Sequence, residues 1–180
     1  LGIFAMTYTA VQGSVIQMIN HGLSTGALFL LVGFIYDRTH TREIEKYGGI
    51  AKIVPVYSTI LLIVSLSSIG VPGLNGFIGE FLILLGSFKS SIYNSWWFAA
   101  ISTTGIIFAA VYLLWMYQRV VLGEVKHENL FKLTDLNARE LVVIIPIVLF
   151  IVWIGVYPNT FLSLTEVSVK NIIDFTISFK

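Results

Sequence analysis

The sequence predicts an all-α integral membrane protein with four transmembrane helices, the second broken at Gly70–Gly76, and an amphipathic C-terminal tail. The first observation behind this prediction is the composition: of 180 residues, 56% are hydrophobic and 12% are charged. Soluble domains carry about 25% charged residues, so this chain has too little charge to cover a soluble particle of its length. The composition therefore excludes a water-soluble enzyme domain.

The second observation is the position of four stretches that contain no Asp, Glu, Lys or Arg. They cover residues 1–36, 53–79, 90–118 and 141–165. A membrane-spanning helix needs roughly 20 mostly apolar residues. We expect four such helices, at about residues 12–36, 54–88, 95–119 and 140–162. Residues 1–162 then form the transmembrane domain, and residues 163–180 form an amphipathic tail that lies at the membrane interface.

Lys and Arg are distributed unevenly over the segments between these spans. Eight of them fall in the two loops at residues 37–52 and 119–139: Arg38, Arg42, Lys46, Lys52, Arg119, Lys126, Lys132 and Arg139. The opposite side has only Lys89, Lys170 and Lys180. Because positive charge concentrates on the cytoplasmic side, both loops are predicted to be cytoplasmic and the C-terminus to lie outside.

Charge balance and residue types limit what the chain binds. Eleven Lys and Arg against ten Asp and Glu give a net charge of +1, which argues against a nucleic-acid partner. The chain has no cysteine, so it carries neither a thiolate nucleophile nor a Cys-ligated metal or iron–sulfur cluster. His40 and His127 lie among loop charges, and we expect no metal site. The expected surroundings are the lipid bilayer.

The third observation concerns the second span, which is too long for one regular helix. Residues 54–88 would form a rod of about 52 Å at ~1.5 Å per residue, well beyond the hydrocarbon core. Pro72, Gly73 and Gly76 interrupt it, and unwound backbone at membrane depth is tolerated where it lines a wet cavity. Glu80 follows this break. An ionisable group there indicates a proton site, although a structural partner for Glu80 is the alternative.

The first span carries a polar stripe that matches this break. Ser14, Gln17, His21 and Thr25 recur at spacings of three and four residues, so they share one face of the helix. The stripe predicts a polar path, with His21 as the group able to pass a proton near neutral pH; hydrogen bonding to a neighbouring helix is the alternative. Arg119 is predicted to anchor its helix at the cytoplasmic interface, with a role in coupling as the other possibility.

Two motifs carry a resemblance to a known family. The run from Gln17 to Gly33 (QMINHGLSTGALFLLVG), followed by HTREI and YGG, is the first. The run from Gly70 to Gly86 (GVPGLNGFIGEFLILLG) is the second. Both resemble the subunit M family of bacterial NADH:quinone oxidoreductase (complex I), whose members are antiporter-like membrane-arm subunits. The chain begins with Leu1 rather than Met, and its first ten residues look like the end of an earlier helix. We therefore expect the C-terminal part of a larger protein.

The resemblance implies a fourteen-helix fold whose last four helices are present here, in the bacterial cytoplasmic membrane. It implies that Glu80 is the ionisable residue of the broken twelfth helix and His21 the histidine of the central hydrophilic axis. It also implies proton translocation coupled to electron transfer in other subunits. Those subunits hold NADH, FMN, iron–sulfur clusters and quinone, so no cofactor is expected in this chain. Its partners would be other membrane-arm subunits, including sister antiporter-like subunits.

Two alternative functions remain open from the sequence. The chain could instead serve a multi-subunit Na⁺/H⁺ antiporter or a membrane-bound hydrogenase complex, in which case transport would depend on sodium or the NADH-binding subunits would be missing. A passive membrane scaffold is the alternative from a different class. It predicts that substitution of Glu80 or His21 changes assembly or nothing.

Overall fold

The structure is a computed structural model that describes residues 1–91, 96–125 and 127–178. Within these ranges it is helical and has no strand, which confirms the predicted all-α class. The helices, in chain order, are α1 (Gly2–Ala5), α2 (Tyr8–Thr39), α3 (Pro55–Ile69), α4 (Asn75–Phe88), α5 (Trp97–Val121), α6 (Ala138–Val156) and α7 (Asn159–Ser178). Short 3₁₀ turns at Ile44–Lys46, Ile50–Lys52 and Glu128–Lys132 lie in the two long loops.

Three of the helices, α2, α5 and α6, are long and apolar enough to cross a membrane. The predicted second span is two shorter apolar helices: α3 has 15 residues and α4 has 14. Each is too short to cross a hydrocarbon core that requires about 20 helical residues. The segment is therefore divided into two helices near Pro72 and the neighbouring glycines, as the sequence predicts.

The helix α2 is longer at both ends than the predicted 12–36. It begins at Tyr8, where the hydroxyl of Thr7 accepts a hydrogen bond of 3.2 Å from the backbone N–H of Ala10. It ends at Thr39, with His40 in the left-handed conformation as the C-cap. A helix ends where its backbone hydrogen bonds stop, and charged side chains by themselves do not end it. The helix α2 therefore continues past Asp37 and Arg38.

The third predicted span, 95–119, is α5 at Trp97–Val121; residue 95 lies outside the described residues. The fourth prediction, 140–162, is wrong at its C-terminal end, because α6 stops at Val156. Pro158 explains this end: a proline disfavours helical dihedrals at the preceding residue, and Tyr157 has φ −129° and ψ 61°. The helix α7 then begins at Asn159, ahead of the predicted tail boundary at 163. Residues 179 and 180 of that tail lie outside the described residues.

The core is formed by residues of α2, α3, α5 and α6 and of the loop before α3. Leu31, Val64, Ile144 and Ile151 are fully buried there. The helices α2 and α4 approach so closely that a Cβ on Gly79 would overlap the side chain of Gln17. At the other end of α2, Val11 packs against Val169 and Ile173 of α7.

One end of the bundle is held by an ion pair and by capping. Arg38, at the end of α2, donates two hydrogen bonds of 2.6 Å to the carboxylate of Glu140 in α6. Its Nε and Nη2 donate to the carbonyls of Thr134 and Asp135 at 2.9 and 3.2 Å. The carboxylate of Asp135 accepts from the N–H groups of Val56 and Tyr57 at 2.8 and 3.0 Å. It therefore caps the N-terminus of α3 from a distant part of the chain.

Candidate functional site

The break between α3 and α4 positions Glu80. The chain leaves α3 through Gly70, which has φ 82° and ψ 40°, and Gly73 has φ 92°. Both values lie in the region that only glycine adopts readily, so the turn needs glycine at these positions. The predicted break was 70–76, whereas residues 70–74 are non-helical, and Gly76 lies in the first turn of α4.

The carboxylate of Glu80 lies back over this turn. A Cβ on Gly70 would be 3.2 Å from the carboxylate carbon of Glu80 and would overlap one of its oxygens. No residue within 1–91, 96–125 and 127–178 makes a hydrogen bond or ion pair with this carboxylate. Glu80 is half-buried, so its side chain stands beside the break without a fixed partner from the described residues.

The polar stripe of α2 faces the same region. Gln17 and His21 line two cavities, of about 560 and 220 Å³, and Glu80 lines both. Ser14 lines the larger cavity and Thr25 the smaller one. The five polar residues predicted from the sequence are therefore brought together around these two cavities.

All four members of the stripe have hydrogen bonds within α2, and Oε1 of Gln17 accepts one of 3.4 Å from the amide of Asn20. The hydroxyl of Ser14 donates to the carbonyl of Ala10 at 2.8 Å, which ties it to its own helix. The ring Nδ1 of His21 lies 3.2 Å from the hydroxyl of Thr25. His21 is exposed in this chain, and no described residue makes a hydrogen bond to its Nε2.

We use the term break pocket for the smaller cavity, which is lined by residues of α2, α3, α4 and α5. Its polar lining includes Gln17, Asn20, His21, Ser24, Thr25, Ser67, Ser68, Glu80 and Tyr112. Next to it lies a buried network that sequence reasoning missed. The side-chain amides of Asn20 and Asn75 each donate to the backbone carbonyl of the other residue, at 2.7 and 3.3 Å.

Two serines complete this network. The hydroxyls of Ser24 and Ser67 lie 2.7 Å apart. Both also hydrogen-bond to Oδ1 of Asn75, at 3.3 Å from Ser24. Asn20, Ser24, Ser67 and Asn75 are all buried, so the network joins α2, α3 and α4 at the break.

The sequence carried a signal for part of this network. Asn20 and Ser24 are four residues apart and lie next to the predicted stripe on the helical face that begins at Gln17. Asn75 was visible inside the interrupted segment but had no assigned role. Ser67, Ser68 and Tyr112 sit on other helices, and nothing in their spacing indicates that they face α2.

Of the remaining predicted residues, Gly76 lines the smaller cavity, whereas Pro72, Gly73 and Arg119 line neither cavity. Arg119 is exposed, and its guanidinium carbon lies 4.3 Å above the ring of Trp115. This arrangement fits an interface anchor, because a cation over an indole ring is favourable at such a site. Pro72 and Gly73 are exposed at the turn, and Gly155 of α6 packs against the backbone of Gly73 so closely that a Cβ would overlap it.

The donor set does not resemble a metal site. Among the described residues no group of three His, Cys, Asp or Glu side chains could hold a metal ion. A carboxylate and an imidazole can take up and release protons, and the hydroxyl and amide groups around the two cavities can hydrogen-bond to water. The arrangement therefore suits proton transfer.

Comparison with known proteins identifies the family. The family model described as "NADH:quinone oxidoreductase/Mrp antiporter, TM" matches residues 1–109. The chain belongs to this family. Members are integral membrane proteins, in agreement with the three apolar helices that are long enough to cross a membrane.

Relatives within the NADH:quinone oxidoreductase/Mrp antiporter family are similar over most of the chain. NADH-quinone oxidoreductase subunit M of Rickettsia typhi is 43% identical over 173 residues, which are 96% of this chain and 34% of that protein. NADH-ubiquinone oxidoreductase chain 4 of Marchantia polymorpha is 40% identical over 96% of this chain and 34% of its own length. The predicted resemblance to the C-terminal part of subunit M is confirmed.

A solved structure shows the same architecture. A chain of respiratory complex I from Thermus thermophilus with bound NADH matches with a TM-score of 0.83 and 35% identity, over 94% of this chain and 35% of that one. The chain thus spans about a third of the length of the relatives it matches.

Proposed function

We propose that this chain is part of a proton-translocating membrane subunit of NADH:quinone oxidoreductase. The observation that carries the proposal is the position of Glu80, which lies beside a helix break and lines two cavities together with Gln17 and His21. Ionisable residues at membrane depth are costly, so they typically mark a transport path. The similarity to subunit M proteins supports the same function.

In this proposal His21 and Glu80 carry the proton, and the other polar groups guide it. His21 receives a proton along the axis and passes it through the break pocket to Glu80. Gln17, Ser14 and Thr25 line the path, while the turn that includes Pro72 and Gly73 keeps backbone dipoles next to the carboxylate. Glu80 then releases the proton on the outer side.

The membrane arrangement is part of the same proposal. The helices α3 and α4 act together as one broken span, which gives four spans with α2, α5 and α6. The loops at 37–52 and 119–139 are cytoplasmic, α7 lies at the outer interface, and Arg119 anchors α5 at the inner one. Of the charges used for this orientation, Lys126 and Lys180 lie outside the described residues.

The chain would act as one subunit of a larger translocase in the bacterial cytoplasmic membrane. Its partners would be lipid and other membrane-arm subunits, including sister antiporter-like subunits. We expect no redox centre in this chain, because NADH, FMN, iron–sulfur clusters and quinone would be held elsewhere. Electron transfer in those other subunits would then drive proton translocation through this chain from a distance.

The test is proton pumping by the full-length parent protein in its complex, with Glu80→Gln compared with wild type. NADH-driven acidification of inverted membrane vesicles should fall by roughly tenfold or more, because a positioned proton carrier contributes about 100-fold or more to a transfer step. Assembly and dye-reductase activity, measured in the same membranes, should be unchanged.

Glu124→Gln is the matched control, because Glu124 is exposed on a loop and outside the two cavities. Its acidification should equal that of wild type. Normal pumping by a fully assembled Glu80→Gln complex would contradict the proposal and favour a passive scaffold. The family description also includes Mrp antiporters, and acidification that requires sodium would favour that function instead.

A further inference from the structure

A third cavity lies between the two long loops, and it shares no residue with the two cavities around Glu80. Its volume is about 610 Å³, within the range of roughly 300–1,000 Å³ that is typical of ligand pockets. One wall comes from residues 38–47, at the end of α2 and just after it. The other wall comes from residues 127–133, around the 3₁₀ turn before α6. We use the term loop pocket for this cavity.

The loop pocket is basic. Arg38, Lys46, His127 and Lys132 line it, and no Asp or Glu of the described residues does. Positive side chains on two sides of a cavity repel one another, and an anion between them removes that repulsion. Phosphate is the anion that lysine commonly binds in proteins. The lining therefore fits a phosphate group.

Two of these cations are available to a ligand. The guanidinium of Arg38 is already used by the carboxylate of Glu140 and by backbone carbonyls. The ammonium of Lys132 makes no ion pair with a described residue, and that of Lys46 lies 3.9 Å from the carboxylate of Glu43 at an exposed site. Such a long and exposed pair contributes little to stability, so a phosphate can replace the carboxylate of Glu43.

The rim of the loop pocket favours a lipid over a soluble phosphate. Phe131 lies on the same 3₁₀ turn as Lys132 and is 66% exposed. The preceding helix, α5, ends with Arg119 stacked on Trp115, the arrangement of an interface anchor. Exposed apolar and basic side chains next to each other are typical of segments at a membrane interface, where apolar groups contact acyl chains and ammonium groups reach the headgroups. A soluble phosphate has no acyl chain for Phe131 to contact.

We propose that the loop pocket binds the phosphate of an anionic phospholipid from the leaflet next to these loops, which is the cytoplasmic one in the proposed arrangement. Lys46 and Lys132 hold the phosphate from the two loops, and Phe131 contacts the acyl chains. The hydroxyl of Thr41, which accepts from the N–H of Glu43 at 3.3 Å, keeps a proton to donate to a phosphate oxygen. The lipid thereby links the loop after α2 to the loop before α6. This inference goes beyond the proton path and requires only that the loops lie at a membrane surface.

Photocrosslinking of the assembled parent complex in nanodiscs tests the inference. The probe is phosphatidylglycerol with a photoreactive group in its acyl chain, present as a minor component in phosphatidylcholine. Peptide mapping should find adducts on residues 127–133, and excess unlabelled phosphatidylglycerol should prevent them. A wild-type complex without adducts on this segment would overturn the inference. Competition by inorganic phosphate as strong as that by the lipid would also overturn it, because the site would then bind a soluble anion.

A complex with both Lys46→Gln and Lys132→Gln should show labelling of this segment reduced about tenfold or more, because each lysine near an anionic membrane contributes roughly fivefold to binding. The matched control carries Lys52→Gln and Arg139→Gln. These residues are exposed, belong to the same predicted loops and do not line the loop pocket. The control loses the same charge and should label within about twofold of wild type. Equal losses in the two complexes would indicate general attraction to the membrane surface and would contradict a specific site.

Two further measurements keep the test independent of the variants and of the proton path. In the wild-type complex, phosphatidylcholine with the same photoreactive group should label residues 127–133 about fivefold less or weaker still, because its headgroup has no net charge. Labelling in a Glu80→Gln complex should equal that of wild type, so failure of the proton function would leave this inference standing. An experimental density map that shows an acidic segment of another subunit in the loop pocket would overturn it.

Discussion

The side chain of Asn75 joins three helices through buried hydrogen bonds. Its amide donates to the carbonyl of Asn20 on α2, and its Oδ1 is shared by Ser24 on α2 and Ser67 on α3. Asn75 itself begins α4 and is fully buried. One amide group therefore holds the ends of the two half-helices against α2, next to the carboxylate that the proposed path uses.

Replacing Asn75 should destabilise the protein, because its side chain takes part in several buried hydrogen bonds. Asn75→Ala removes the acceptor that the hydroxyls of Ser24 and Ser67 share, which leaves them only each other, and it removes the donor to the carbonyl of Asn20. Loss of these hydrogen bonds should lower the free energy of unfolding by about 2 kcal/mol. The measurement is denaturant unfolding of the purified parent in detergent. Asn129→Ala, at an exposed loop position, is the control. An equal decrease in the free energy of unfolding in both variants would show that the hydrogen bonds of Asn75 do not stabilise the protein.

Among the helices, α2 and α4 make a close contact that three glycines permit. A Cβ added at Gly13, Gly79 or Gly86 would come within about 3 Å of backbone atoms on the other helix. Small residues let membrane helices approach in this way, and packing then replaces the hydrophobic effect, which is weak between helices in lipid. This contact sets the distance between the polar stripe and Glu80.

A methyl group at this contact should separate the two helices. Gly79→Ala would press against Gln17, and overpacking of this kind costs about 1–3 kcal/mol. We expect a lower Tm for the detergent-solubilised parent and reduced acidification in vesicles, since Gln17 and Glu80 would move apart. Gly33→Ala, where a Cβ would meet nothing within 4 Å, should leave both values near wild type. A Tm drop of the same size at Gly33 would contradict this account of the contact.

At the level of elements, hydropathy predicted the all-helical class and three long apolar helices, but not where the helices end. The interruption of the second span was visible because proline and glycine act locally on the backbone. The end of α2 was placed too early, since charged residues such as Arg38 remain helical once they have a partner. The end of α6 was placed too late, although Pro158 was a local signal for the boundary before α7.

The same limit applies to the site, where polar residues of one helix could be grouped but contacts between helices could not be predicted. Ser14, Gln17, His21 and Thr25 could be grouped from their spacing because they share one helix. Ser67, Ser68 and Asn75 join the site only through the way α3 and α4 pack on α2. A single sequence contains no record of which helix faces which, so the network around the break could not be predicted.

Across the whole molecule, the ion pair between Arg38 and Glu140 ties the first long helix to the last membrane-length one. Their side chains are only 16% and 11% exposed, and the contact is bidentate. Partial burial makes the pair costly to break, because the remaining partner keeps a charge that water solvates only in part.

Arg38→Gln should lower the free energy of unfolding by about 3 kcal/mol, since Glu140 would lose both charge-assisted hydrogen bonds. Lys46→Gln provides the comparison. Its ion pair with Glu43 spans 3.9 Å at an exposed site, and such pairs contribute roughly 0–1 kcal/mol. Unfolding of both variants in the same detergent measures the difference. Losses of equal size would mean that the buried pair contributes no more than the exposed one.

The cap that Asp135 provides for α3 has a consequence for how the chain is made. The N–H groups of Val56 and Tyr57 precede their acceptor by 79 and 78 residues. At a translation rate of ~5–20 residues per second, the ribosome delivers Asp135 about 4 to 16 s after the start of α3 has left it. Until then these two N–H groups can hydrogen-bond only to water, so the first turn of α3 must remain accessible to water. The loop before α6 therefore completes the cap of a helix that was synthesised well before it.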